Sequence, residues 1–143
     1  MNSAMGSAMS GTLRVFVYGT LLRGESNHHW LAGARFLGRW QTPARFRLFS
    51  LGSYPVLCPG GRQAVAGEVY AVDADGLAAL DRLEEYPACY DRIQLSSPFG
   101  PVWVYVQHKA PARGRLLRQG RWRDRPPRPT PFRGVARTQG PEE

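Results

Sequence analysis

The 143-residue sequence predicts an α+β fold in which strands close into a small, compact β-barrel and short helices pack on its outside. Three observations predict it. At least five stretches carry strand patterning, only two carry helical patterning, and the two kinds do not alternate as they would in a doubly wound parallel sheet. Strands in that number leave edges that must be closed or covered, and a barrel removes them economically. With 43% hydrophobic and 11% aromatic residues the chain fills one core, and two domains would be crowded.

The first strand runs from Leu13 to Tyr18, with Leu13, Val15 and Val17 on one face and Arg14, Phe16 and Tyr18 on the other. It runs into Tyr18-Gly19-Thr20. Gly19 has no β-carbon, so its backbone is free to turn and its amide can approach a ligand closely. Successive N–H groups turned the same way would form an anion-binding concavity for a carboxylate or an oxyanion. The other reading is an ordinary strand-to-loop turn with nothing bound. Ser26 or Asn27 then caps a short helix through Trp30, Leu31 and Ala34 that ends near Gly33 or Gly38, and its first N–H groups would add positive potential beside the turn.

Residues 39–51 alternate as Arg45, Phe46, Arg47 and Leu48, the pattern of a strand with one wet face, and Gly52-Ser53-Tyr54-Pro55 interrupts them as a turn. Ala64 to Val72 is the next strand. Gly67 in its middle predicts a bulge or the close approach of another group. Asp73 or Asp75 caps the second helix, Leu77, Leu80 and Leu83 recur at helical spacing, and Pro87 stops it. Tyr90 to Leu95, a polar turn at 96–101 and Val102 to Val106 form a hairpin. Leu116, Leu117 and Trp122 are core-sized and dock on the barrel.

The folded domain is therefore expected over residues 12–123, between a disordered leader at 1–11 and a disordered, basic Pro/Arg-rich tail at 124–143. The leader lacks the basic start and apolar stretch of a secretion signal. Residues 109–143 hold ten Lys or Arg and three acids, a net of +7 out of the chain's +8, which leaves +1 for everything before them. The body is thus nearly neutral. The tail's arginines, with Trp122 and Phe132, could meet phosphates and bases, but no RNA-binding signature accompanies them and nucleic acid is not an expected partner. No apolar run reaches the ~18 residues of a membrane span, and no membrane partner is expected. Cys58 and Cys89 form neither a Cys-x-x-Cys nor a zinc pattern and point to a reducing cytoplasm. Adjacent His28 and His29 diverge by about 100° on a helix, so no metal site is expected.

The segment Leu80-Asp81-Arg82-Leu83-Glu84-Glu85-Tyr86-Pro87 offers adjacent carboxylates, and helical geometry separates them. At about 100° per residue, Glu84 projects between Leu77 and Leu80, inside the apolar stripe that Leu83 continues. Glu85 projects beyond Asp81, on the wet side. Two readings follow for Glu84. It sits at the rim, reaching water or an arginine, or it is a general base facing a cleft, its pKa raised by desolvation.

Val17-Tyr18-Gly19-Thr20-Leu21 with Arg23-Gly24-Glu25 and Asn27-His28 resembles the opening signature of the γ-glutamylcyclotransferase-like family, in its branch of small bacterial proteins and γ-glutamylamine cyclotransferases. Leu80-Asp81-x-x-Glu84-x-Tyr86-Pro87, followed by Tyr90 and Arg92, resembles its second signature. Gly52-x-Tyr54-Pro55, Gly67-Glu68-Val69-Tyr70 and Gly120-x-Trp122 look like its remaining landmarks, so the resemblance covers residues 13 to 123. It implies a small mixed β-barrel with flanking helices, a cavity at the barrel mouth, and release of 5-oxoproline from a small-molecule γ-glutamyl amine or peptide without metal or organic cofactor. Glu84 would be the catalytic acid/base, the amides of Gly19, Thr20 and Leu21 would hold the substrate, and Tyr18 would shape the wall. The position after the glutamate is commonly glycine in this family. Here it is Glu85, whose charge is expected to push the Glu84 pKa up further and to reshape the helix end. A non-catalytic binding module for a small acidic metabolite is the alternative on the same fold.

Overall fold

The computed structural model describes residues 13–126; the expected leader and all of the expected tail beyond residue 126 lie outside the described residues. Eight strands and one α-helix follow in the order β1 (Leu13–Val17), β2 (Arg35–Gln41), β3 (Phe46–Ser50), β4 (Pro55–Pro59), β5 (Ala66–Val72), α1 (Ala74–Leu83), β6 (Asp91–Ser97), β7 (Gly100–Val106) and β8 (Arg115–Leu116). Short 3₁₀ turns occupy His28–Leu31 and Trp122–Asp124. The mixed α+β class is as expected.

The barrel is not. A five-stranded sheet in the order β2-β5-β1-β7-β6 stands beside a three-stranded sheet in the order β4-β3-β8, and among the described residues no closed ladder joins them. β1 pairs antiparallel with β5 and parallel with β7, which makes the larger sheet mixed. The reason for the gap is in β4. Its pairing with β3 opposes Leu57 to Leu48, and Leu48 turns its main-chain groups outward to Gln63 and Leu117. Leu57 likewise turns away from β3, its carbonyl accepting from Gln107 N–H at 2.9 Å just past the end of β7. By the two-residue period Pro55 and Pro59 face the same free edge, where proline has no N–H to offer. A strand that lacks most of its outward donors cannot zip onto β7.

The expected strand over residues 39–51 resolves into β2 and β3, and β4, hidden between its prolines, goes unread in the sequence. The expected helix after the first turn shrinks to four 3₁₀ residues. Gly33, at φ 86°, turns the chain away, and the Asn27 side chain donates to Thr20 Oγ1 rather than capping the helix. So short a turn adds little helix dipole beside Gly19. In β5, a β-carbon on Gly67 would overlap the Val17 carbonyl and the Phe16 ring, so the glycine admits the close approach of β1. Val15, Phe16 and Val17 are all buried, as befits a central strand covered on both faces.

α1 starts as expected, with Asp73 Oδ1 accepting from Gly76 N–H at 2.7 Å. Leu77 and Leu80 are buried. Its C-terminus is a Schellman motif: Tyr86 N–H donates to the Asp81 carbonyl at 2.9 Å and Glu85 N–H to that of Arg82 at 3.2 Å. Glu84 is the C-cap and Glu85 follows in the left-handed region at φ 54°. This geometry explains why glycine suits the position, since a β-carbon there meets the following carbonyl. The Glu85→Gly substitution is expected to stabilise the fold by about 1 kcal/mol, raising Tm by ~3–5 °C in thermal unfolding.

Candidate active site

The turn after β1 is a braced structure. Leu22 N–H donates to the Gly19 carbonyl at 3.0 Å, Asn27 N–H to that of Thr20 at 2.8 Å, and His28 Nδ1 to that of Leu21 at 2.9 Å. Below it the buried Glu68 accepts from Arg23 N–H and from the Tyr70 hydroxyl, both at 3.0 Å. The carbonyls of Gly19, Thr20 and Leu21 are therefore held. Among the described residues, no carbonyl outside the strand ladders accepts from the N–H groups of the same residues. Gly19 is required for a different reason from the one its sequence position suggests. Its φ is not positive, and a β-carbon would instead overlap the Pro55 ring at the start of β4. The glycine lets the turn pack against the second sheet.

The turn opens into a cavity of about 370 Å³ where the larger sheet, β4 and the loop after α1 meet. Tyr18, Gly19, Thr20, Leu21 and Glu84, the residues singled out from the sequence, all line it. The Glu84 pKa is raised to about 7 by burial. Nothing offsets that burial: among the described residues the carboxylate has neither an ion-pair partner nor a hydrogen bond. Of the two forms of the rim reading, the arginine partner is absent among the described residues, and the side chain is partly exposed to water. Glu85 is exposed as expected, although it lies past the helix cap in the left-handed region and not on the helix's wet face, and its charge is not among the causes of the Glu84 shift. Burial, and not the push expected from Glu85, accounts for the raised Glu84 pKa.

Tyrosines frame the cavity, Tyr18 bonding within the larger sheet and Tyr90 reaching across to β4 of the smaller one. The Tyr18 hydroxyl donates to the Tyr105 carbonyl at 2.7 Å, and the Tyr90 hydroxyl to the Pro55 carbonyl at 2.6 Å. Burial holds both phenols protonated well above their ordinary range, so they act as donors. Tyr105 donates in turn to Asp81 Oδ1 at 2.7 Å. Asp81 is bound at both oxygens by Arg92, through Nε at 3.0 Å and Nη2 at 3.2 Å, and that guanidinium lies 4.4 Å from each of the Tyr86 and Trp103 ring centres. A stacked Arg–carboxylate fork is a rigid support for the helix end carrying Glu84.

Asn27, Tyr54, Glu85, Cys89, Tyr90 and Tyr105 also line the cavity, and sequence reasoning assigns none of them to the site. Tyr90 and Asn27 stand within the sequence signatures, which is their one signal. Tyr105 looks like a hairpin residue until the sheets are docked. Cys58 is buried and Cys89 exposed, both as free thiols. Among the described residues no group of three or more His, Cys, Asp or Glu gathers where a metal could sit, and no helix is long and apolar enough to cross a membrane.

The family model described as gamma-glutamyl cyclotransferase, AIG2-like, matches residues 15–124. A provisionally named gamma-glutamylcyclotransferase of Vibrio cholerae is 44% identical over 108 residues, which span 76% of this chain and 93% of its own. Gamma-glutamylaminecyclotransferase A of Danio rerio is 38% identical over 92 residues, 58% of this chain and 57% of that one. The solution NMR structure of protein ytfP from Escherichia coli superposes with a TM-score of 0.65 at 37% identity, covering 79% of this chain and 100% of that one.

The partly buried carboxylate has a consequence for stability. Between pH 4.5 and about 7 the folded state holds a proton on Glu84 that the unfolded state has lost, so stability falls as pH rises through that window. Glu84→Gln removes the dependence. Relative to wild type, the variant is expected to gain about 2 kcal/mol in urea unfolding at pH 8 compared with pH 5.

Proposed function

The chain belongs to the gamma-glutamyl cyclotransferase, AIG2-like, family, and on that premise we propose that it cyclises γ-glutamyl amines or peptides, releasing 5-oxoproline and a free amine. One observation carries the reading: a partly buried carboxylate without a partner among the described residues, on Glu84, shares a cavity with a turn in which the N–H groups of Gly19, Thr20 and Leu21 point to no carbonyl outside the strand ladders.

The chemistry follows from the substrate's own connectivity. Its α-nitrogen attacks its γ-carbonyl carbon, the new C–N bond closes the five-membered lactam, and the bond to the departing nitrogen breaks. Nucleophile and electrophile belong to one molecule, so holding a bent conformer supplies much of the rate and no metal or organic cofactor enters. The α-ammonium gives up two protons and the departing nitrogen gains two, leaving as an ammonium. Glu84, with a pKa about 7, is matched to accept a proton from the first nitrogen and return it to the second. In this reading the N–H groups of Gly19, Thr20 and Leu21 hold the α-carboxylate or the oxyanion. Tyr18, its hydroxyl committed to Tyr105, is a wall and not a proton donor.

The test is 5-oxoproline release from a panel of γ-glutamyl amines and dipeptides. Glu84→Gln is expected to lose a factor of roughly 10² to 10⁴ in kcat; an undiminished rate removes Glu84 as the base. Because the base works ionised, kcat/KM of the wild type should rise about tenfold per pH unit below about 7 and then level.

A further inference from the structure

Among the described residues the cavity's charged lining consists of Glu84 and Glu85, and no Lys, Arg or His faces it. A γ-glutamyl group brings one carboxylate and one ammonium, which the turn's N–H groups and Glu84 would satisfy in the reading above. Glu85 is then a charge in excess. It is exposed at the mouth, has no ion-pair partner among the described residues, and is fixed in place by the Schellman turn rather than free on a loop. The carbonyl end of α1 lies on the same side and adds negative potential. Tyr54, 47% exposed, also lines the cavity and carries an aromatic ring, a group whose face attracts cations. The site is thus polarised, with N–H donors at the β1 turn and an uncompensated acid with an aromatic ring where the departing group would project.

We propose that Glu85, with Tyr54, makes this site select γ-glutamyl compounds whose departing amine carries a second positive charge, that is, derivatives of diamines or polyamines. The inference rests on the cyclotransfer reading. A departing group ending in a carboxylate meets like charge at Glu85, and an uncharged alkyl group gains nothing from it.

Three compounds of matched length separate the cases: the γ-glutamyl derivatives of 1,4-diaminobutane, n-pentylamine and 4-aminobutyrate. Wild type is expected to favour the diamine over the alkyl compound by about fivefold in kcat/KM, expressed in KM and weakened by about 0.5 M salt, with the acidic compound last. Glu85→Gln should bring the first two level, and Glu85→Lys should move the acidic compound ahead of the diamine. Equal kcat/KM for the diamine and alkyl compounds in wild type, or a preference that survives in Glu85→Gln, overturns the proposal. Calorimetric binding of the same compounds separates the two readings. Tighter binding of the diamine compound without 5-oxoproline from any of the three supports charge selection and removes cyclotransfer. Equal binding without turnover removes both.

Discussion

The free edge of β4 cannot donate hydrogen bonds where its two prolines face outward, and much of the architecture answers to that fact. Pro55 and Pro59 keep the three-stranded sheet from zipping onto β7, so the two sheets meet without closing. The carbonyls left on that edge are taken up singly, Leu57 by Gln107 N–H and Pro55 by the Tyr90 hydroxyl. Tyr18 crosses to the Tyr105 carbonyl nearby. A seam held by separate hydrogen bonds instead of a continuous ladder leaves space, and the cavity opens there. Pro55 also sets the need for glycine at position 19, because its ring lies where a β-carbon would be.

Into that space the C-terminal end of α1 delivers a carboxylate that costs stability. Burial without a counter-charge penalises the ionised form and brings the Glu84 pKa to about 7. Structure around it is stiff: the Schellman turn fixes the backbone at Glu84 and Glu85, and the Arg92 guanidinium, stacked between Tyr86 and Trp103, locks Asp81 one turn earlier. Stability lost at one residue and rigidity built in its neighbours is the arrangement expected where a group's protonation has been tuned for proton transfer.

Residues 121–126 show how the chain fastens its end to the body. Trp122 is buried, Arg125 stacks on its ring at 4.4 Å, and Arg123 and Arg125 both reach Glu25 while Arg123 also donates to the Arg23 carbonyl. Part of the basic excess counted in the sequence is therefore structural charge, set against the loop that carries the β1 turn. Composition alone could not show which acid these arginines meet.

Local patterning determined a good deal. Period-two alternation placed β1, β5 and the β6–β7 hairpin; the Asp73 cap and leucine spacing placed α1; and the helical projection put Glu84 among apolar neighbours with Glu85 in water. Each of these depends on residues close in sequence, whose geometry the backbone period dictates. Tertiary structure decided the rest. Whether the strands closed depended on which edge of β4 its prolines faced, a property of register against β3. Whether Glu84 had an arginine depended on where Arg92 was spent. The need for glycine at 19 came from Pro55, far along the chain, and the tyrosines of the cavity became site residues only when the two sheets met. Contacts between distant residues leave no periodicity to read, so the sequence named the parts of the site while the packing of the two sheets determined its lining and charge.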